Sequence, residues 1–214
     1  MTSSGKYDVS ILTEYDREVK NKEIKTVVGL DFAMNGLFVG SETGKRANYP
    51  RFYRQMLDKL AIEQRKLSRK KKGSSNWNKQ RIRVAKIQEK AANQRKNFLH
   101  HKSKELASDF DAVVIEDLDM KAMSQALKFG RSISDNGWGI FTSFLKYKLK
   151  ERGKQLVKID KWFPSTKKCS CCGAKRPMKL SERIYECPCG HVADRDYNSA
   201  INIRNEGLRL LSLS

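Results

Sequence analysis

The apolar positions of this chain change their period several times, and each change marks an element. TVVGLDF (26–32) is a short apolar run ended by a turn, and GLFVGSETG follows with Gly36 and Gly44 as punctuation. This predicts a strand, a tight turn and a second strand, with a third near Arg46–Tyr49. Ahead of it, KYDVSILTEY (6–15) alternates weakly and predicts one or two strands, and Asn21–Lys25 reads as a linker. From residue 51 to 107 the period lengthens. Tyr53, Leu57, Leu60 and Leu67 recur at helical spacing, as do Val84, Ile87, Ala91 and Phe98, and KKKGSSNWNK separates the two sets. Two long helices joined by a polar turn, a helical hairpin, are expected. DAVVIEDLD (111–119) predicts another buried strand and residues 121–135 a loop rich in Ser, Gly and Lys. Trp138–Glu151 predicts a helix, QLVKID (155–160) a strand and residues 193–211 a closing helix. This order of elements indicates an α/β fold.

Charge narrows the partners. The chain has 214 residues and a net charge of +20. Residues 51–104 hold 18 Lys and Arg against 3 Asp and Glu, so fifteen of those charges lie in the predicted hairpin. Such an excess favours a polyanion. No amphipathic helix with exposed Trp or Leu supports a membrane surface, which leaves nucleic acid. Lys70, Lys71 and Lys72 with Arg81 and Arg83 are the candidate phosphate contacts; a merely solvated hairpin is the competing reading. Trp77 and Trp138 are candidates for base stacking, although helix packing is the commoner use of such residues. Met1–Gly5 is polar, and no window approaches the roughly 18 apolar residues of a membrane span. A cytoplasmic protein with no membrane partner is expected.

Candidate chemistry sits in two places. Asp31 lies inside VVGLDFAMNG and Glu116 inside VVIEDLD. A carboxylate is expensive in an apolar strand unless it binds a cation or accepts hydrogen bonds. Two such strands suggest neighbours sharing a metal, and Asp196, at the start of the last helix, supplies a third acid. Three acids from three elements suit hard cations such as Mg²⁺, and a metal pair can activate water against a phosphodiester. The competing readings are strand-end or surface acids, and an N-cap role for Asp194 or Asp196. The second place is KKCSCCG…YECPCG. Cys169-x₂-Cys172 and Cys187-x-Cys189 predict a tetrahedral structural zinc site. Gly173 and Gly190 follow each pair, where a tight knuckle needs them. Cys171 could replace a cysteine of the first knuckle, and His191 could compete with Cys189.

Together, VVGLDF, LSRKKKGSSN, ANQRKNFLHH, VVIEDLDMKAM, WFPSTKKCSCCG and ADRDYNSAINI resemble the carboxyl-terminal half of insertion-sequence TnpB (OrfB) proteins and the related type V CRISPR effector nucleases. The resemblance runs from about residue 5 to residue 210. It implies an RNase H-like (RuvC-type) mixed sheet with a helical hairpin insertion and an inserted zinc ribbon. It also implies an RNA-guided DNA endonuclease with Asp31, Glu116 and Asp196 as catalytic acids holding two Mg²⁺ or Mn²⁺ ions. Cys169, Cys172, Cys187 and Cys189 would hold one zinc ion. The expected domains are residues 26–163 with 194–214 (nuclease, the basic hairpin at 51–107) and 164–193 (ribbon). Residues 1–25 would be the remnant of an amino-terminal β-barrel plus linker. Guide RNA and target DNA are the implied partners, with a separately encoded amino-terminal half as a further candidate. The alternatives are a nucleic-acid-binding protein that does not cut by itself, or one half of a split effector.

Overall fold

The computed structural model describes residues 2–34, 36–126, 137–179 and 181–212. Two units separate by their contacts, Met1–Glu18 with Pro50–Phe98, and Val19–Tyr49 with Leu99–Ser214. The first is built on the expected hairpin. Helix α1 (Phe52–Ser68) buries Leu60, and α2 (Ser75–Asp109) buries Val84 and Ala91. Buried Gln80 of α2 donates its amide to the backbone oxygen (3.0 Å) and carboxylate (2.6 Å) of Glu63. The last turns of α2, from Leu99 onward, belong to the second unit.

The second unit is built on a four-stranded mixed sheet of order β2-β1-β3-β4. Strand β1 (Val27–Phe32) pairs antiparallel with β2 (Phe38–Gly40) and parallel with β3 (Ala112–Glu116), which pairs parallel with β4 (Gln155–Ile159). Val27-Val28 and Val113-Val114-Ile115 suit strands covered on both faces. Phe32 points to one face, where its ring meets Trp138 at 5.4 Å. That residue opens α4 (Trp138–Lys150), whose buried Trp138, Phe141, Leu145 and Leu149 form a single stripe. Asp31, one residue earlier, points to the other face, which is covered by α5 (Arg195–Leu211).

Two glycines set how close α5 lies. A Cβ on Gly29 of β1 would fall 2.3 Å from the Ala200 oxygen and 2.5 Å from the Arg204 nitrogen. One on Gly207 of α5 would fall 2.3 Å from a methyl of Val114. Ile203 lies between them in a core cluster with Val114 and Ile159. Backbone therefore packs on backbone at β1, and only glycine permits it.

Asp111 ties the incoming chain to β3. Its carboxylate accepts from the Lys22 ammonium (2.7 Å) and the Lys25 and Thr26 amides (3.1 Å each). The Lys22 bond and those amides hold it well below its ordinary value of 3.8, against the opposing pull of desolvation.

Four expectations change. Residues 6–15 contain no strand; Tyr7, Val9, Ile11, Leu12 and Tyr15 are exposed, and alternation without a neighbouring edge gives no ladder. Residues 46–49 contribute a single bridge, Arg46 to Val39, rather than a strand. The start of the expected 121–135 loop lies in helix α3 (Met120–Ala126), which Asp119 caps by accepting from the Ala122 amide (2.9 Å); residues 127–135 lie outside the described residues. The closing helix starts at Arg195, because Val192–Asp194 is strand β6 of a two-stranded hairpin with β5 (Ile184–Glu186).

Gly29→Ala should destabilise the chain by about 1–3 kcal/mol or more, since the obstructing atoms are backbone; urea unfolding measures it. Asp111→Asn should flatten the acid limb of stability. A carboxylate whose value is depressed on folding stabilises above its unfolded value and loses that contribution as pH falls toward the folded one. The wild type should therefore weaken below about pH 4 more steeply than the variant, as read by denaturation midpoints across pH.

Candidate active site and metal centre

The parallel register fixes two of the acids. Leu30 of β1 pairs with Ile115 of β3, and Asp31 and Glu116 each stand one residue further on. They emerge side by side, at the carboxyl ends of adjacent strands, on the face covered by α5. The helix brings the third. Asp196 is buried on the sheet-facing side of α5, and Ser199, one turn later, donates to Asp31 at 3.1 Å. Asp31 and Asp196 are each only 7% exposed.

Burial pushes the Asp31 carboxyl well above the ordinary carboxylate range, and Glu116 and Asp196 push it the same way. Burial also raises Glu116, against the bond it accepts from the Ser165 hydroxyl (2.5 Å). Removing an ion from water costs several kcal/mol, and one hydrogen bond to a charge returns about 1.5–3 kcal/mol. Ser199 alone cannot offset three converging acids. The donor set is all oxygen, the chemistry of hard divalent cations, so the acids fit such ions.

Asp196 already has positive neighbours. The Arg46 guanidinium lies 2.7 Å from it and that of Arg195 3.3 Å. Asp194, not Asp196, is the N-cap, accepting from the amides of Asp196 (2.9 Å) and Tyr197 (3.1 Å). The capping reading therefore holds for Asp194 and leaves Asp196 free to face the other acids.

Asn198 and Asn202, a turn apart on α5, hold the loop after β4. Asn202 donates to the oxygens of Ser165 (2.8 Å) and Lys168 (2.6 Å). Asn198 donates to Lys168 (2.8 Å) and accepts from the Ser170 amide (2.9 Å). Ser165 in turn holds Glu116, so one helix orients all three acids.

That loop runs into the cysteines. The sulfurs of Cys169, Cys172, Cys187 and Cys189 all lie within 4.8 Å of one another. Cys169 and Cys189 are 3.8 Å apart, and Cys172 and Cys187 3.5 Å. A tetrahedron with zinc–sulfur bonds of ~2.3 Å has edges of ~3.8 Å, so the cluster has the dimensions of such a site. Burial raises the Cys169 thiol, but the Cys172 and Cys171 amides together with hydrogen bonds from the Cys187 and Cys172 thiols outweigh it and bring it down to about 7. Cys171 is exposed and outside the cluster, and His191 instead faces the Ser170 hydroxyl at 3.1 Å. The second knuckle is the turn of the β5–β6 hairpin, where Ile184 pairs with Asp194. Strand β6 passes without a linker into α5. Among the described residues, the three carboxylates are not gathered as tightly as the sulfurs, as expected of like charges that repel.

The family model OrfB_IS605, described as "Probable transposase", matches residues 10–127. The chain belongs to this OrfB family. A second model, "Cas12f1-like, TNB domain", matches residues 138–203, which include the cysteines and Asp196. A Streptomyces pristinaespiralis protein named "Putative RNA-guided DNA endonuclease" is 39% identical over 206 residues, 96% of this chain and 51% of that protein. "Putative RNA-guided DNA endonuclease InsQ" of Escherichia coli K12 is 31% identical over 98% of this chain and 56% of its own length. The chain thus spans about half the length of these relatives. The solved Cas12f1-sgRNA-target DNA complex shares its fold at a TM-score of 0.62 and 19% identity, covering 87% of this chain and 40% of that one. The α/β reading of the sequence, with a mixed sheet, therefore holds, and the fold is that of the Cas12f1 chain.

The basic candidates lie together in the first unit. Lys70, Lys71 and Lys72 lie in the turn between α1 and α2, with Arg81 and Arg83 in the second and third turns of α2. Lys71, Lys72 and Arg83 are exposed; Arg81 is half-buried, 3.5 Å from the Ser3 oxygen. Trp138 is core, and Trp77 is half-buried in α2. No helix among the described residues is long and apolar enough to cross a membrane. Sequence reasoning missed Arg46, Ser165, Asn198, Ser199 and Asn202. The two asparagines and Ser199 carried a signal: polar residues on the face of α5 that should be apolar.

Cys187→Ser should release zinc and also weaken Mg²⁺ binding at the acids, because the hairpin turn it closes leads directly into Asp196. Zinc release by a colorimetric chelator and Mg²⁺ titration by calorimetry measure the two effects. A zinc-free variant with unchanged Mg²⁺ binding refutes the coupling.

Proposed function

We propose that this chain hydrolyses DNA phosphodiesters at Asp31, Glu116 and Asp196, as the nuclease portion of an RNA-guided DNA endonuclease. The convergence of three carboxylates from β1, β3 and α5, with Asp31 raised by burial and by the other two, carries the proposal. The three acids would hold two Mg²⁺ or Mn²⁺ ions. Bound there, such ions activate water and stabilise the leaving oxygen of a phosphodiester.

The chain's own groups then have distinct tasks. Ser199 orients Asp31 and Ser165 orients Glu116, so both carboxylates are positioned before substrate arrives. Arg46 and Arg195 offset the charge of Asp196. Cys169, Cys172, Cys187 and Cys189 would hold one zinc ion, whose four ligands leave no open position, so its task is structural. Residues 26–163 and 194–214 would act as the nuclease domain and residues 164–193 as its ribbon. The names of the relatives, and the RNA and DNA in the similar complex, support guide RNA and target DNA as partners. The basic turn at Lys70–Lys72 with Arg81 and Arg83 would hold their phosphates.

Single-stranded DNA incubated with Mg²⁺ should be cut by the wild type and not by Asp31→Ala or Glu116→Ala. Equal behaviour of all three overturns the assignment. Replacing Lys70, Lys71 and Lys72 with alanine should lower the slope of log binding constant against log salt by about 1 for each phosphate left without its lysine, whatever the sequence bound. Filter binding over a salt series measures it.

A further inference from the structure

We infer that Trp162 is a stacking platform for a base of single-stranded DNA, over a cavity at the carboxyl ends of β3 and β4. This inference rests on the nuclease reading of the acids. Trp162 is 81% exposed, the most solvent-accessible of the three tryptophans. Its neighbour Phe163 is its opposite, packed against the core cluster of Val114, Ile159 and Ile203. The Trp162 amide donates to the Asp160 carboxylate at 2.7 Å, and the Phe163 amide to the Asp160 oxygen at 3.0 Å. The indole therefore projects from an anchored turn.

A cavity of about 390 Å³ opens beside it, lined by residues 117–119 and 158–162. In open α/β sheets, ligands bind outside the carboxyl ends of the strands, and Glu116 ends β3 immediately before this lining. Ser165, which holds Glu116, is three residues past Trp162, a span of at most ~11 Å. A strand crossing the acids therefore passes within reach of the indole.

The charged lining is largely committed. Asp117 pairs with Lys158 at 2.7 Å, Asp119 caps α3, and Asp160 holds the turn. The Lys161 ammonium lies over one face of the indole, 5.2 Å from its centroid, which leaves the opposite face for a base and puts a cation where it can meet a phosphate. An aromatic face beside a cation suits single strands, because every base offers a π-face. Duplex DNA keeps its bases stacked and gives the indole nothing to stack on, so the site selects an unpaired nucleotide near the reacting phosphate.

The test measures binding of fluorescein-labelled oligothymidylate to the full chain, without added Mg²⁺ or Mn²⁺, beside an abasic oligonucleotide of equal length. The wild type should bind the thymidylate about tenfold more tightly than the abasic strand. Trp162→Ala should bind both equally, at the wild-type abasic level, and Trp162→Phe should keep most of the preference. The melting temperature should be unchanged, since the removed ring is exposed. Equal binding of both strands by the wild type overturns the inference, as does an equal loss for both strands in Trp162→Ala. Cleavage plays no part in this readout, so an inactive chain can still show the platform, and an active chain that lacks the base preference leaves the nuclease reading intact.

Discussion

The contact on which the site depends is the backbone approach of α5 to β1 at Gly29. No side chain separates the strand from the Ala200 oxygen and the Arg204 nitrogen. The approach brings Ser199 to Asp31 and sets Asp196 over the sheet. A wider spacing would leave Asp31 buried with no donor in reach, at a cost of several kcal/mol. Close packing and acid placement are thus one constraint. It also explains why a helix with glycine in its interior is tolerated: the propensity cost of ~1 kcal/mol at Gly207 is offset by fit against Val114.

The helix is also where two polar systems meet. Its first turn carries an acid, and its Asn198 and Asn202 hold the loop that delivers Ser165 to Glu116 and Cys169 to the sulfur cluster. A soft, sulfur-lined cluster and a hard, oxygen-lined one share a single support yet differ in purpose. The first is closed and dimensioned for one ion. The second is buried, and its charges are balanced in part by arginines. Electrostatic strain collects at the oxygen-lined one, where burial and the neighbouring acids hold Asp31 well above its ordinary range.

Much of this was legible from the residues. VVGLDF and VVIEDLD announced two buried strands with an acid at one depth, because an apolar run makes a carboxylate conspicuous. The cysteine spacing announced the sulfur cluster, since knuckle geometry is local. Whether Asp194 or Asp196 capped α5 was open, because spacing cannot say which side chain turns back to the helix amides. Arg46 was invisible for a different reason: its partner lies 150 residues away, and no local pattern encodes that pairing. The misread strand at 6–15 shows the converse. Alternation records what a segment could pair with, not whether an edge is present. The early start expected for α5 failed because Val192–Asp194 is held by β5, a partner that helical periodicity does not register.

The direct passage of β6 into α5 makes the ribbon an angular reference. An α-helix turns by about 100° per residue, so a single inserted residue between Asp194 and Asp196 would swing that carboxylate by more than a quarter of a revolution. The stretch from the last cysteine to the last acid is therefore a fixed count rather than a spacer. Ribbons of other lengths could be accommodated ahead of Cys187, where the hairpin absorbs them, but the rotational phase of the third carboxylate is set by how the chain leaves the knuckle.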